Sequence, residues 1–322
     1  MGKKKDSLEL YFHIPFCIKK CDYCDFLSGP STRAGQEAYI YALLREMKAV
    51  SAIEKRTVDT VFIGGGTPSV PECGIMEKLL QGIGKNFQLA ADAEVTIEAN
   101  PGTLTPEKLA LYRRYGINRI SIGLQSPENQ ELRALGRIHN YQQFLESYHM
   151  AREAGFSNIN IDLMFAIPGQ SYEGWIQNLR TVAKLGPEHI SAYSLIIEEG
   201  TPFSARKLDL PDEDTEYRMY EDVAAVLGKY GYYQYEISNY AKKDRNCRHN
   251  EGYWQRKDYL GLGLGAASLV GRERFTNTSD MSEYLENSGN LEKIRTDRET
   301  LTREDEMGEF MFLGLRMTKG VS

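Results

Sequence analysis

The sequence predicts an α/β protein built on a parallel sheet, and three observations carry that expectation. Short β-branched and aromatic runs recur six times between residues 8 and 195, longer segments with helical apolar spacing separate them, and glycine or proline punctuates the junctions. The first strand is LELYFHI (8–14), followed by a helix over 37–50 and a strand over 60–64 that runs into Gly64, Gly65 and Gly66. A third strand spans 94–98. Thr105 with Pro106 opens a helix that stops at Gly116, because a side-chain cap and a fixed φ favour a helix start and glycine favours its end. Strands over 119–124, 158–164 and 189–195 alternate with helices over 144–155 and 175–186, which end at Gly155 and Gly186. Six β-α units with right-handed crossovers give a doubly wound open sheet or a barrel, complete or partly open, and periodicity alone does not separate these. In either case the loops after the strand C-termini carry the site.

Past residue 200 the pattern loosens into a charged helical stretch (212–231), an aromatic segment (232–240) and a glycine-rich strand-like segment (259–270). The last segment, 303–317, puts Met307, Phe310, Met311 and Leu315 on one helical face with no following element to cover it, so the chain is expected to be a piece of a longer protein.

The chain has 322 residues, and 39 basic against 45 acidic side chains give a net charge of −6. That balance disfavours a phosphate-binding nucleic-acid protein. With 41% hydrophobic and 26% charged residues the composition is globular. No apolar run approaches the roughly 18 residues a membrane span needs. The Met-Gly start lacks the Ser or Thr at position 6 that myristoylation wants, since Asp6 stands there. A cytoplasmic chain is expected.

Three of the five cysteines, Cys17, Cys21 and Cys24, stand in C-x-x-x-C-x-x-C spacing directly after the first strand, whereas Cys73 and Cys247 are isolated and read as structural. Three thiolates suit a [4Fe–4S] cluster with one iron left open. Structural zinc wants four closed ligands, and only His13 or a distant histidine is at hand to complete the set; unliganded thiols are the third alternative. Phe16, Tyr23 and Phe26 interleave with the thiols and either shield them from water or simply pack. The glycines at 64–66 form a tight turn or let carbonyls approach a cationic ammonium, and no phosphate-loop pattern surrounds them. Glu98, Gln125 and Asp162 reach the same rim, where carboxylates accept from hydroxyls or an ammonium, and Arg137 offers a fork for a carboxylate or a surface ion pair.

These motifs carry a resemblance. The cysteine spacing followed by GGGTP is similar to the radical S-adenosylmethionine (SAM) superfamily, and YFHIPFC, IGGGTPS, IEANPG, ISIGLQS, LGRIHN, IDLMFAIPGQ and HNEGYW resemble its HemN/HemW group from about residue 8 onward. The resemblance implies a partial (β/α)6 TIM-like barrel over 1–205, a C-terminal α/β extension over 206–300, and the start of an incomplete C-terminal helical domain over 301–322. It implies a [4Fe–4S] cluster on Cys17, Cys21 and Cys24, with SAM at Tyr11, Tyr23, Gly65, Gly66, Thr67, Glu98, Gln125, Arg137 and Asp162. Phe26 stands where the oxidase branch has a further cysteine, and this, with HNEGYW at 249–254, is similar to the heme-chaperone branch. Heme would then be a third cofactor, with His249 as its ligand ahead of Cys247. The expected partners are heme-accepting, respiratory proteins and reduced flavodoxin or ferredoxin as electron donor, with membranes reached only through proteins and homodimerisation left open. The alternative is an oxygen-independent coproporphyrinogen III oxidase of porphyrin biosynthesis, and whether SAM is cleaved is not fixed by the motifs.

Overall fold

The computed structural model describes residues 7–321, so the Met1–Gly2 start and Asp6 lie outside the described residues. In chain order the first half comprises β1 (Ser7–Ile14), α1 (Arg33–Ile53), β2 (Thr57–Gly65), α2 (Cys73–Asn86), β3 (Leu89–Ala99), α3 (Pro106–Arg114), β4 (Arg119–Gln125), α4 (Asn129–Ala134), α5 (Tyr141–Glu153) and β5 (Ile159–Phe165). There follow α6 (Tyr172–Leu185), β6 (His189–Ser194), α7 (Glu213–Gly228), β7 (Tyr233–Gln234), β8 (Asn239–Ala241) and α8 (Arg248–Trp254). The last elements are β9 (Tyr259–Leu262), β10 (Ala267–Val270), β11 (Glu273–Asn277), α9 (Met281–Asn287), α10 (Leu291–Ile294), β12 (Arg295–Thr300) and α11 (Arg303–Gly314).

Strands β1 to β6 pair in parallel and in sequential order, without the reversal of a doubly wound sheet. The outer edge of β1 is taken by parallel β9 and that of β6 by antiparallel β8, so β1 and β6 never meet. The barrel is therefore partly open, and β7–β8 and β9–β12 extend it on its two edges. Side chains alternate along a strand. Leu8, Leu10, Phe12 and Ile14 of β1 thus join the core against the helices, while Tyr11 and His13 line a cavity inside the barrel.

The punctuation residues act as expected. Thr105 caps α3, whose first residue is Pro106, and Gly116, Gly155 and Gly186 adopt φ of 85°, 86° and 74°. Three helices begin earlier than their apolar spacing suggests, because polar caps start the first turn: Thr32 for α1, the Asn140–Gln143 capping box for α5 and Ser171 for α6. Helix α2 escapes the sequence reading because Gly82 and Gly84 interrupt its pattern. Gly82 has a packing reason, since a Cβ there would stand 2.2 Å from a Leu44 methyl of α1. On α11, Met307, Phe310, Met311 and Leu315 are exposed as expected, while Glu309 is buried and paired with Arg256 and Arg274. No described helix is long and apolar enough to cross a membrane.

A Cβ on Gly261 of β9 would lie 2.3 Å from the Ala267 carbonyl oxygen, a backbone atom with little freedom to move. Gly261→Ala is expected to lower stability in urea unfolding by about 1–3 kcal/mol, as overpacking does. A loss below about 0.5 kcal/mol would show that the β9–β10 turn yields instead.

Candidate functional site

The loop after β1 carries the cysteines and is pinched at its base. Cys17 N donates to Gly29 O (3.0 Å), Gly29 N donates to Pro15 O (3.0 Å), and Cys24 N donates back to Cys21 O (3.2 Å). Between the thiols, Asp22 is gripped from both sides: its N–H donates to Leu135 O, its carbonyl accepts from Phe203 N, and its carboxylate pairs with Arg206 at 2.6 Å. From β1 itself, His13 Nε2 meets the carbonyl of Leu27 at 2.8 Å, so the strand braces the loop.

Cys17, Cys21 and Cys24 line one cavity of about 460 Å³ at the C-terminal face of the barrel, together with Tyr23, Gly65, Gly66, Thr67, Glu98, Gln125, Arg137 and Asp162. All five cysteines of the chain are free thiols. Among the described residues no three His, Cys, Asp or Glu side chains close on one ion position, as a zinc ion with ligands about 2.0–2.3 Å away would require. Thiolates bound to three different irons of a cubane need no such point, and the sulfurs have donors beside them: Thr67 Oγ1 lies 3.6 Å from Cys17 Sγ, and Arg137 Nη1 lies 3.6 Å from Cys21 Sγ. Three free thiols on one cavity wall, with donors beside two of the sulfurs, fit a [4Fe–4S] cluster.

Glycine is needed twice where β2 meets the cavity. At Gly66 a Cβ would sit 2.8 Å from Phe16 O, and at Gly65, where φ is 108°, it would sit 2.7 Å from the His13 ring. Gly65 N donates to Glu98 Oε2 at 3.2 Å. Burial, then the neighbouring Asp162, raises the Glu98 carboxyl to about 8, and burial also raises Asp162 despite bonds from Asn160 and Ser121. Gln125 adopts φ of 70°, and its Oε1 accepts from Tyr193 at 2.8 Å.

Tyr11 does not line the outer cavity and meets Gly65, Glu98 and Asp162 at an inner one. This inner cavity of about 310 Å³ is also lined by His13, Arg119 and Asn250, and the Tyr11 hydroxyl meets His13 Nδ1 at 3.1 Å. Phe26 is 60% exposed at the mouth of the outer cavity, so it guards the edge and does not seal the thiols; Phe16 is buried in the core.

His249 does not fit the role of heme ligand in this arrangement. It is buried, stacked on Phe62 at 5.2 Å, with Nδ1 on Thr60 Oγ1 (2.7 Å) and Nε2 on the Tyr253 hydroxyl (3.0 Å). Burial, then the Arg119 charge, lowers its pKa to about 3, so it is a neutral ring with both nitrogens committed. Cys247 is buried too and donates to Glu94. The neighbouring residues of α8 do reach cavities: Asn250 enters both the inner and outer ones, and Tyr253 and Trp254 line an apolar pocket of about 410 Å³ with Tyr259, Phe312 and Arg274. In that pocket Trp254 Nε1 and Arg256 Nη2 are buried donors without a partner among the described residues.

The sequence reading missed Asn100. Its Nδ2 donates to Thr67 Oγ1 (2.8 Å) and its Oδ1 accepts from Arg137 Nη2 (2.8 Å), joining the groups beside two sulfurs. The signal was its place just past β3, in IEANPG, one step beyond the Glu98 rim.

Residues 11–182 match the model of the radical SAM superfamily. The chain is similar to heme chaperone HemW of Escherichia coli K12, 43% identical over 83% of this chain and 71% of that protein. It is similar to heme chaperone HemW of Bacillus subtilis 168, 37% identical over 97% of this chain and 84% of that protein. Its fold matches the solved structure of coproporphyrinogen III oxidase HemN from E. coli with a TM-score of 0.87 and 26% identity, covering 97% of this chain and 76% of that one.

A carboxyl held near 8 in the fold, against an ordinary value of 4.5, keeps its proton in the folded state across that interval and loses it in the unfolded state. Stability therefore falls as pH rises from about 4.5 to about 8. Glu98→Gln is expected to raise the melting temperature of the metal-free protein more at about pH 8 than at about pH 5.5. An equal change at both values would contradict the burial of this group. Glu9, also raised to about 8 by burial, adds the same slope in both proteins and cancels.

Proposed function

The chain belongs to the radical SAM superfamily and, within it, to the HemW family of heme chaperones, and on that premise we propose that it binds a [4Fe–4S] cluster, SAM and heme and passes heme to heme-accepting proteins. The observation that carries this is the common wall shared by three free thiols, the Gly65–Thr67 turn and the Glu98–Asp162 rim. Cys17, Cys21 and Cys24 would hold the cluster, and Tyr23, Gly65, Gly66, Thr67, Glu98, Gln125, Arg137 and Asp162 would hold SAM, with Tyr11 supporting from the inner cavity. When bound, the cluster supplies one electron to the SAM sulfonium. The chain's own groups orient and desolvate: Gly65 and Gly66 let the backbone approach, Asp162 accepts from a ligand's hydroxyl or ammonium groups, and Glu98, protonated near neutral pH, donates or accepts.

The apolar pocket supports the heme reading. Tyr253, Trp254, Tyr259 and Phe312 line it and would face a planar macrocycle, while Arg256 and Arg274 in the same wall are paired with Glu309. Of the phenols in this pocket, Tyr253 is engaged by His249 and Tyr11 by His13, so Tyr259 would be the oxygen ligand for iron. The heme acceptors would be respiratory proteins, and a reduced flavodoxin or ferredoxin would supply the electron. We place the protein in the cytoplasm. Its net charge of −6 gives it no attraction to anionic lipid, so membranes would be met through protein partners. A homodimer is consistent with this scheme. The competing oxidase reading has the HemN fold match in its favour, with 26% identity against 37–43% for the chaperones.

Anaerobic reconstitution should give about four irons in the parent chain. Cys17→Ala, Cys21→Ala or Cys24→Ala should abolish that binding while Cys73→Ala keeps it; equal iron in all four variants would refute the cluster assignment. Trp254→Ala should weaken heme binding at least tenfold in an absorbance titration, and His249→Ala should leave the heme spectrum unchanged. If the reduced, SAM-loaded protein turns over added coproporphyrinogen III, the chaperone reading gives way to the oxidase.

A further inference from the structure

Three residues between the thiols form a chain of hydrogen bonds whose direction is fixed from Arg137 as far as the Thr67 oxygen. Arg137 has only donors. Its Nη2 donates to Asn100 Oδ1 at 2.8 Å and to Gly123 O at 2.5 Å, and its Nη1 points at Cys21 Sγ at 3.6 Å. Because the Asn100 oxygen must face the guanidinium, its amide nitrogen faces the other way and donates to Thr67 Oγ1 at 2.8 Å. Asn100 thus takes a lone pair of the Thr67 hydroxyl and not its proton, which is left for Cys17 Sγ at 3.6 Å when that sulfur is a cluster-bound thiolate; with a free thiol either atom can donate. The polarity that starts at a guanidinium next to Cys21 ends as a hydroxyl proton aimed at Cys17.

We propose that Asn100 is a positioning residue that aims the Thr67 hydroxyl at Cys17 and the Arg137 guanidinium at Cys21, and so sets the reduction potential of the cluster these thiols would hold. This rests on the cluster assignment above. Sulfurs bound to a cluster would be thiolates, which can only accept, and donors aimed at ligand sulfurs stabilise the more negative, reduced cluster. Asn100 touches neither sulfur and acts through Thr67 and Arg137.

The Asn100 backbone is itself held. Its N–H donates to Ser69 Oγ at 3.3 Å, its carbonyl accepts from Thr103 Oγ1 at 2.6 Å, and Ser69 and Thr103 bond each other at 2.5 Å. Beneath them the Lys108 ammonium donates to three carbonyls, Ser69 O (2.5 Å), Thr103 O (3.0 Å) and Val70 O (3.3 Å). One cation therefore fastens the loop that carries Thr67 to the loop that carries Asn100. Lys108 is the remote anchor of the same device.

The test is an EPR-monitored redox titration of the reconstituted full chain, with iron content and apoprotein melting measured beside it. Asn100→Leu keeps the shape and removes both hydrogen bonds. It is expected to lower the equilibrium constant for one-electron reduction about tenfold, which is about 59 mV towards negative potential. Thr67→Val should shift it in the same direction, and the double variant by less than the sum, because the Thr67 proton is aimed by Asn100. Lys108→Met, which leaves every cavity side chain intact, should give a smaller shift of the same sign that Lys108→Arg reverses. Unchanged potentials in Asn100→Leu and Lys108→Met at full iron loading would overturn the proposal, as would strict additivity with Thr67→Val. If Asn100→Leu loses iron, the Lys108 pair decides by the same criterion. A parent chain without the [4Fe–4S] signature would instead refute the cluster assignment, and this proposal with it.

Discussion

A buried guanidinium imposes acceptors on everything around it, and Arg137 is the group on which the cavity is organised. It reaches the carbonyl of Gly123 on β4, the amide of Asn100 after β3, and the sulfur of Cys21 in the loop after β1. Three parts of the open barrel are thus tied to one cation that cannot give up its proton. Withdrawing it from water is costly unless its donors are met. The cysteine loop therefore has one arrangement, held also by Asp22 between Leu135 and Phe203 and by His13 beneath Leu27.

The parallel core was legible because its signals are local. Alternating strands, a Thr105–Pro106 start and glycines at 116, 155 and 186 are decided within a few residues. The openness of the barrel was not, because it depends on β8 and β9 capturing the edges of β6 and β1, pairings made across about 50 and 250 residues of chain. Most of the candidate site was legible for the same reason: strand C-termini converge in any parallel α/β fold, so Glu98, Gln125 and Asp162 had to meet the cysteine loop. Asn100 was hidden because it touches no thiol, and its importance lies in a bond direction fixed by Arg137.

HNEGYW shows the converse failure. A histidine among aromatics reads as a ligand, yet His249 spends both nitrogens inside the protein, and Gly252 is there because a Cβ would strike the Glu9 carboxylate at 1.9 Å. The first half of the motif is the floor of the barrel. A histidine with a pKa lowered to about 3 is a neutral hydrogen-bonding ring over the whole physiological range, which suits a fixed floor. Burial, invisible in the sequence, reverses the assignment.

That floor also separates two chemistries. The inner cavity and the apolar pocket share one wall, the Tyr11 ring, and share one helix, α8, which sends Asn250 to one side and Tyr253 with Trp254 to the other. Tyr11 is held by His13, and His13 by the backbone of the cysteine loop. A protein that carries a cluster and a macrocycle would gain from keeping them apart, since a radical formed at the first would attack the second. A wall of packed rings would provide that separation, and the same β1 residues, Tyr11 and His13, brace the cysteine loop.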